Sequence, residues 1–251
     1  MLDFLDISKV LFLDIETVPA YAQYSDLDDT WQTLWKHKAR SILKKPADEE
    51  VTNDEASSVY DRAGIYAEFG KIICISVGIF AYDKETQLPY TRLKSFAHDD
   101  ETVLLKGFIE LLNKSFNMPD RHFLCGHNIK EFDIPFICRR IVMHQMALPS
   151  LLNIAGKKPW ETKYLLDTME LWKFGDNKSY TSVKLLAAVF GFPSPKDDID
   201  GSEVAGVYYN DKDLERIARY CEKDVVAVMQ LILKFKRMPL HLTIDGKIVS
   251  A

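Results

Sequence analysis

Two acids at the end of an apolar run are the first sign of chemistry in this chain. Asp14 and Glu16 close the segment Val10-Leu11-Phe12-Leu13-Asp14-Ile15-Glu16-Thr17. A strand points alternate side chains to opposite faces, so both carboxylates share one face, their Cα atoms roughly 7 Å apart. Carboxylates on a buried strand are costly unless a cation neutralises them, and a divalent metal does that most simply. The spacing itself is common, recurring at Asp48/Glu50, Asp83/Glu85, Asp99/Glu101 and Asp213/Glu215. Those pairs sit in polar loop or helix-start settings and read as solvated surface acids. Only Asp14/Glu16 follows an apolar strand.

A second group is Gly126-His127-Asn128-Ile129-Lys130-Glu131-Phe132-Asp133-Ile134-Pro135. Asp133 stands where a helix opens, with Pro135 in its first turn, and N-capping alone would explain it. His127 taken alone reads as a structural histidine. A third group lies on a long helix expected over 211–236. There Leu214, Ile217, Ala218, Cys221, Val225, Val228 and Ile232 form an apolar stripe, and Tyr220 and Asp224 share one edge of it. Tyr24/Asp28 and Tyr209/Asp213 repeat the Tyr-x-x-x-Asp spacing without that helical placement.

The elements that must position these residues follow from periodicity and turn chemistry. The run at 10–17 is continuously apolar, as in a strand buried on both faces. Further strands are expected at 71–80, 91–96, 122–126 and 164–167, with helices at 101–116, from 133 onward, and at 182–190 ended by Gly191. Three early strands followed by alternating helices and strands imply an α/β sheet of mixed direction. Residues 20–69 read as a helical insertion whose polar stretch, 46–55, is an exposed loop. The last residues hold an Ile244-Asp245-Gly246-Lys247-Ile248 hairpin signal.

In chain order, Asp-x-Glu on a first strand, Asn-x-x-x-Phe-Asp at a helix start and Tyr-x-x-x-Asp on a late helix closely resemble the DEDD exonucleases. Those enzymes share the ribonuclease H-like fold, and the resemblance is to the branch with Tyr in the third motif. Leu166-Asp167-Thr168-Met169 and the 182–190 helix bring the chain nearest to stand-alone relatives of the proofreading domain of family B DNA polymerases. The match runs from about Val10 to Lys236, with 20–69 as its main departure. It implies a central mixed five-stranded sheet flanked by helices, with the insertion after the first strand. One exonuclease domain over 1–240 and a tail over 241–251 are expected.

The same resemblance implies hydrolysis of the terminal phosphodiester at a 3′ end, releasing nucleoside 5′-monophosphates. Asp14, Glu16, Asp133 and Asp224 would hold two Mg²⁺ or Mn²⁺ ions, and Tyr220 would orient the attacking water. Thr17, Asn128 and Phe132 would meet the substrate. Single-stranded DNA is the favoured polymer. RNA on the same fold, a nucleic-acid-binding module with a dead site, and a polymerase-associated proofreading subunit are the alternatives.

Composition narrows this further. The 251 residues carry 32 Lys and Arg against 37 Asp and Glu, a formal charge of −5. That balance argues against gripping nucleic acid by bulk positive charge, but not against holding a strand end through metal ions. No apolar run approaches the roughly 20 residues of a membrane span, and the acidic N-terminus is unlike a signal peptide. A cytoplasmic chain is expected. Cys74, Cys125, Cys138 and Cys221 form no C-x-x-C pair and read as buried thiols. Arg139, Arg140, Lys157 and Lys158 are candidates for phosphate contacts, although exposed basic residues are usually just solvated. Asp197, Asp198 and Asp200 read as a solvated loop, and Asn113-Lys114-Ser115 and Asn177-Lys178-Ser179 as sequons a cytosolic chain does not use.

Overall fold

A computed structural model describes residues 2–86, 88–176, 180–193 and 198–250. Asn177, Lys178, Ser179 and Asp197 therefore lie outside the described residues. The sheet comprises β1 (Val10–Pro19), β2 (Gly70–Tyr82), β3 (Pro89–Ala97), β4 (Phe123–Gly126) and β5 (Leu165–Asp167). Their spatial order is β3-β2-β1-β4-β5. β1 pairs antiparallel with β2 and parallel with β4, so the sheet is mixed and β1 is its central strand. The helices are α1 (Asp29–Ile42), α2 (Asn53–Ser58), α3 (Glu101–Ser115), α4 (Asp133–Met143), α5 (Thr168–Lys173), α6 (Val183–Phe190), α7 (Val204–Gly206) and α8 (Leu214–Phe235).

Strand alternation in β1 sorts the core into two layers. Leu11, Leu13 and Ile15 face α3 and α4, packing with Leu104, Phe108, Ile137 and Ile141. Val10 and Phe12 face the other way, against Val225, Val228 and Met229 of α8. Asp14 and Glu16 have the same parity as Phe12, so the strand aims both acids at the α8 side. The helix comes unusually near the sheet there: a Cβ on Gly78 of β2 would lie 2.7 Å from Met229 Sδ and 2.9 Å from Val225 Cγ1.

Several boundaries differ from those expected. The last helix begins at Leu214, because Lys212 adopts a left-handed conformation (φ 54) and Asp213 caps the helix through Arg216 N–H. Asp211 ends a π-helical turn, Val207–Asp211, ahead of that break. The polar stretch at 46–55 is only partly loop, since Thr52 and Glu55 form a capping box that opens α2. The insertion has its own small core, centred on the fully buried Trp35 against Tyr24, Tyr60 and Ala63. The 241–251 segment joins β6 (Leu240–Leu242) to β7 (Ile248–Ser250), and Leu242 is buried against α8 with its N–H on Gln230 Oε1. Among the described residues, no helix is long and apolar enough to cross a membrane.

Candidate active site

The three groups of candidate residues converge at the carboxyl end of β1. Asp14 and Glu16 project from that strand, Asp133 from the first turn of α4, and Tyr220 and Asp224 from successive turns of α8. Glu16, Asp133 and Tyr220 are buried, while Asp14 and Asp224 keep partial exposure. Asp133 does not cap its helix. Its Oδ1 accepts the Ile15 N–H at 3.2 Å, between the two acids of β1, and no side-chain cap is made at Phe132. The capping explanation therefore fails for this residue.

Electrostatics suit this corner to a cation. Burial, then repulsion from Asp133, Asp224 and Glu16, pushes the Asp14 carboxyl well above the ordinary range. Burial chiefly lifts Asp133 to about 7, aided by Asp167 and Asp224 and opposed by the backbone N–H of Ile15. Burial, with Asp224, Glu16 and Asp14 around it, also raises the Tyr220 phenol, which hydrogen bonds to Asp224. Converging carboxylates that resist ionisation are what a hard divalent cation relieves, and all-oxygen donors suit Mg²⁺ or Mn²⁺. The donor set thus fits the expected metals.

Cys221 was expected to be a simple core thiol, yet its sulfur lies with Asp14 and Glu16 in a group whose ligand atoms fall within 4.8 Å of one another. It donates to Asp14 O at 3.4 Å and approaches Asp14 Oδ2 at 3.6 Å. Burial holds the thiol well above its usual pKa, so it acts as a neutral donor rather than a thiolate. Beside it a polar line crosses the sheet: Ser76 Oγ meets Ser95 Oγ at 2.8 Å, and Ser95 Oγ donates to Glu222 Oε1 at 2.7 Å. That line ties α8 to β2 and β3.

The loop before Asp133 is held from β5. The Asp167 carboxylate, fully enclosed, accepts the N–H groups of Asn128 at 3.0 Å, Lys130 at 3.2 Å, Met169 at 2.9 Å and Glu170 at 3.3 Å. One acid therefore caps α5 and pins the loop carrying Asn128, Phe132 and Asp133. Asn128 takes a left-handed backbone (φ 62), and its side-chain Oδ1 is buried without a hydrogen-bond partner. An orphaned acceptor inside a site is a place for a ligand's donor. His127 is fully engaged: Nε2 donates to Thr181 O at 2.8 Å and Nδ1 meets Thr168 Oγ1 at 2.9 Å. Burial lowers its pKa, so it is a neutral structural imidazole.

Thr17 and Phe132 line a cleft of about 400 Å³ beside Glu16. Thus the structure brings together every acid and the tyrosine expected from sequence, with two of the three substrate candidates on the adjoining cleft. The basic candidates fare differently. Arg140 is buried in an ion pair with Glu101, which also meets His144 Nε2 at 2.7 Å and the Ile72 N–H at 2.7 Å. Glu101 is thus no solvated surface acid, and Arg140 has no reach to a phosphate. Asp198 forms a two-pronged pair with Arg216, and Asp200 accepts from Ser202 N–H, consistent with a structural surface loop.

A mixed five-stranded sheet flanked by helices, with these acids at the end of its central strand, defines an α/β protein of ribonuclease H-like fold. Residues 65–248 match a family model described as "Predicted 3'-5' exonuclease related to the exonuclease domain of PolB", and the chain belongs to that family. Among solved structures it is similar to the family B DNA polymerase from the hyperthermophilic archaeon Pyrobaculum calidifontis, with a TM-score of 0.52 and 15% identity. That match covers 92% of this chain and 24% of the polymerase, and at such low identity it speaks for the fold.

Proposed function

We propose that this protein is a metal-dependent 3′-to-5′ exonuclease that removes nucleoside 5′-monophosphates from single-stranded DNA. The observation that carries the reading is the gathering of Asp14, Glu16, Asp133 and Asp224 at the end of β1, close enough that each of the other three raises the Asp14 carboxyl, with Asp133 held reluctant to ionise as well. Asp14, Glu16 and Asp224 would hold one Mg²⁺ or Mn²⁺, with Asp14 shared and Asp133 supporting a second. When bound, two such ions supply activation of the attacking water and neutralisation of the leaving 3′-oxygen.

The chain's own groups do the rest. Tyr220 stays a neutral phenol at any working pH, so it orients the water by hydrogen bonding rather than by taking its proton. Asn128 Oδ1 is free to accept a hydrogen bond from the terminal nucleotide. Phe132 and Thr17 shape the cleft beside Glu16, and Asp167 keeps the Asn128 to Asp133 loop from shifting. Misplacement by 1 Å at such a site costs on the order of 10² in rate.

The test uses 5′-labelled single-stranded DNA and RNA with Mg²⁺, Mn²⁺ or EDTA. A ladder shortening from the 3′ end of DNA, abolished by EDTA and by Asp14→Ala, supports the proposal. Degradation of RNA alone moves the substrate to the other polymer, and a folded protein that shortens neither contradicts the reading.

A further inference from the structure

The inserted segment 20–69 is anchored on the strand that carries the catalytic acids. Its two-turn 3-10 helix, Tyr60–Ile65, packs against the end of β1 at Gly64. A Cβ on Gly64 would sit 3.1 Å from Val18 C and 3.2 Å from Pro19 N, a crowding against backbone that glycine avoids. Gly70, opposite Pro19 in the ladder, would strike Gly64 O at 2.8 Å. The insertion is therefore registered against Val18 and Pro19, one to three residues beyond Thr17 and Glu16 on the same strand.

What it presents there is a wall. Arg62 and Ile65 line the same cleft as Glu16, Thr17 and Phe132. Ile65 is 48% exposed, a large aliphatic side chain left in water although the insertion has its own packed core. The Arg62 guanidinium makes no ion pair or hydrogen bond among the described residues. An apolar side chain, a ring and an unengaged cation on the cleft that Glu16 and Asp61 also line match the parts of a nucleotide: an apolar slot for a base and a charge for a phosphate.

Resting on the exonuclease reading, we propose that the insertion completes the site for the terminal nucleotide. Ile65 and Phe132 enclose its unpaired base, and Arg62 meets the phosphate next to it. A base enclosed on both faces cannot remain stacked and paired in a duplex, so the wall selects frayed or single-stranded 3′ ends.

The experiment compares wild type with Ile65→Ala, Arg62→Ala and Arg62→Lys on single-stranded and blunt-ended DNA, with Val103→Ala, exposed and outside the cleft lining, as control. Ile65→Ala should raise KM by about tenfold with little change in kcat, the size expected for one lost base contact. Arg62→Ala should raise KM and flatten the dependence of log KM on log salt by ~0.7, and Arg62→Lys should restore that slope. Unchanged KM and salt slope in both alanine variants of an active enzyme overturn the proposal. Should wild type cleave no 3′ end, the exonuclease reading fails separately. The wall is then judged by methyl NMR of isoleucine-labelled protein titrated with 2′-deoxyadenosine 5′-monophosphate and Mg²⁺. Movement of the Ile65 methyl supports it, and a static Ile65 methyl rejects it.

Discussion

The Asp133 carboxylate accepts the backbone N–H of Ile15 at 3.2 Å, bridging 118 residues of chain between the two acids of β1. This contact locks the start of α4 onto the central strand and fixes where a third carboxylate stands relative to Asp14 and Glu16. Asp133→Asn separates the acceptor role from the charge. The amide oxygen can still take the Ile15 N–H, while repulsion with Asp224 and Asp167 is relieved. The variant should melt at or above the wild-type temperature in EDTA and lose exonuclease activity by a factor on the order of 10². Thermal melts paired with rate measurements check this; a marked loss of stability with activity intact would mean Asp133 is purely structural.

Protonation gives stability a pH dependence of definite sign. Asp133 titrates near its ordinary 3.8 when unfolded and at about 7 in the metal-free fold. Between those values the folded protein holds a proton that the unfolded chain has released. By linkage, stability then falls as pH rises from about 4 to about 7. Asp14 is shifted in the same direction. Melting curves in EDTA should therefore drop in midpoint from pH 5 to pH 8, and Mn²⁺ should flatten the drop by favouring the ionised acids. A midpoint that climbs with pH in EDTA would contradict this electrostatic picture.

Tyr220 differs from the acids because its phenol stays protonated. Tyr220→Phe keeps the ring that packs in one cluster with Val18, Ile73 and Val204 and deletes only the hydroxyl bonded to Asp224. The rate should fall on the order of 10- to 100-fold, the scale of a misoriented reactant. Metal affinity by calorimetry should stay within about threefold. Full activity in this variant would remove the hydroxyl from the reaction.

Asp167 holds the loop that delivers Asp133. Asp167→Asn turns an amide NH₂ toward one of the four N–H groups the carboxylate now accepts, leaving a buried donor unmet. A cost of about 1–3 kcal/mol in stability is expected. At a temperature where the variant is folded, its kcat should still be reduced, because Asn128 and Asp133 lose their register. A destabilised variant with wild-type kcat would show that the loop is positioned by other contacts.

The elements most readable from sequence were those coded locally. β1 announces itself by an unbroken apolar run, and α6 by Ser182 and Gly191 at its ends. The alternation in β1 likewise puts Asp14 and Glu16 on one strand face, and the four-residue spacing in α8 puts Tyr220 and Asp224 on one helix edge. Long-range pairings were not readable. Nothing near Asp133 in the chain reveals that Ile15 is its partner, and Arg140 looks exposed until Glu101 is found beside it. The start of α8 was missed because a left-handed Lys212 interrupts a pattern whose polar residues tolerate either conformation. The insertion gave no hint of its place, since Gly64 and Gly70 acquire meaning only once β1 lies against them.

Direct observation of product tests the central claim best. Single-stranded DNA carrying a label in its 3′-terminal nucleotide is incubated with the purified protein and Mg²⁺ or Mn²⁺, and the released species is identified chromatographically. Rapid appearance of a labelled nucleoside 5′-monophosphate, absent with EDTA and with Asp14→Ala, is the predicted result. Release that persists in EDTA or in Asp14→Ala, or no release from DNA by the folded protein, would contradict the account.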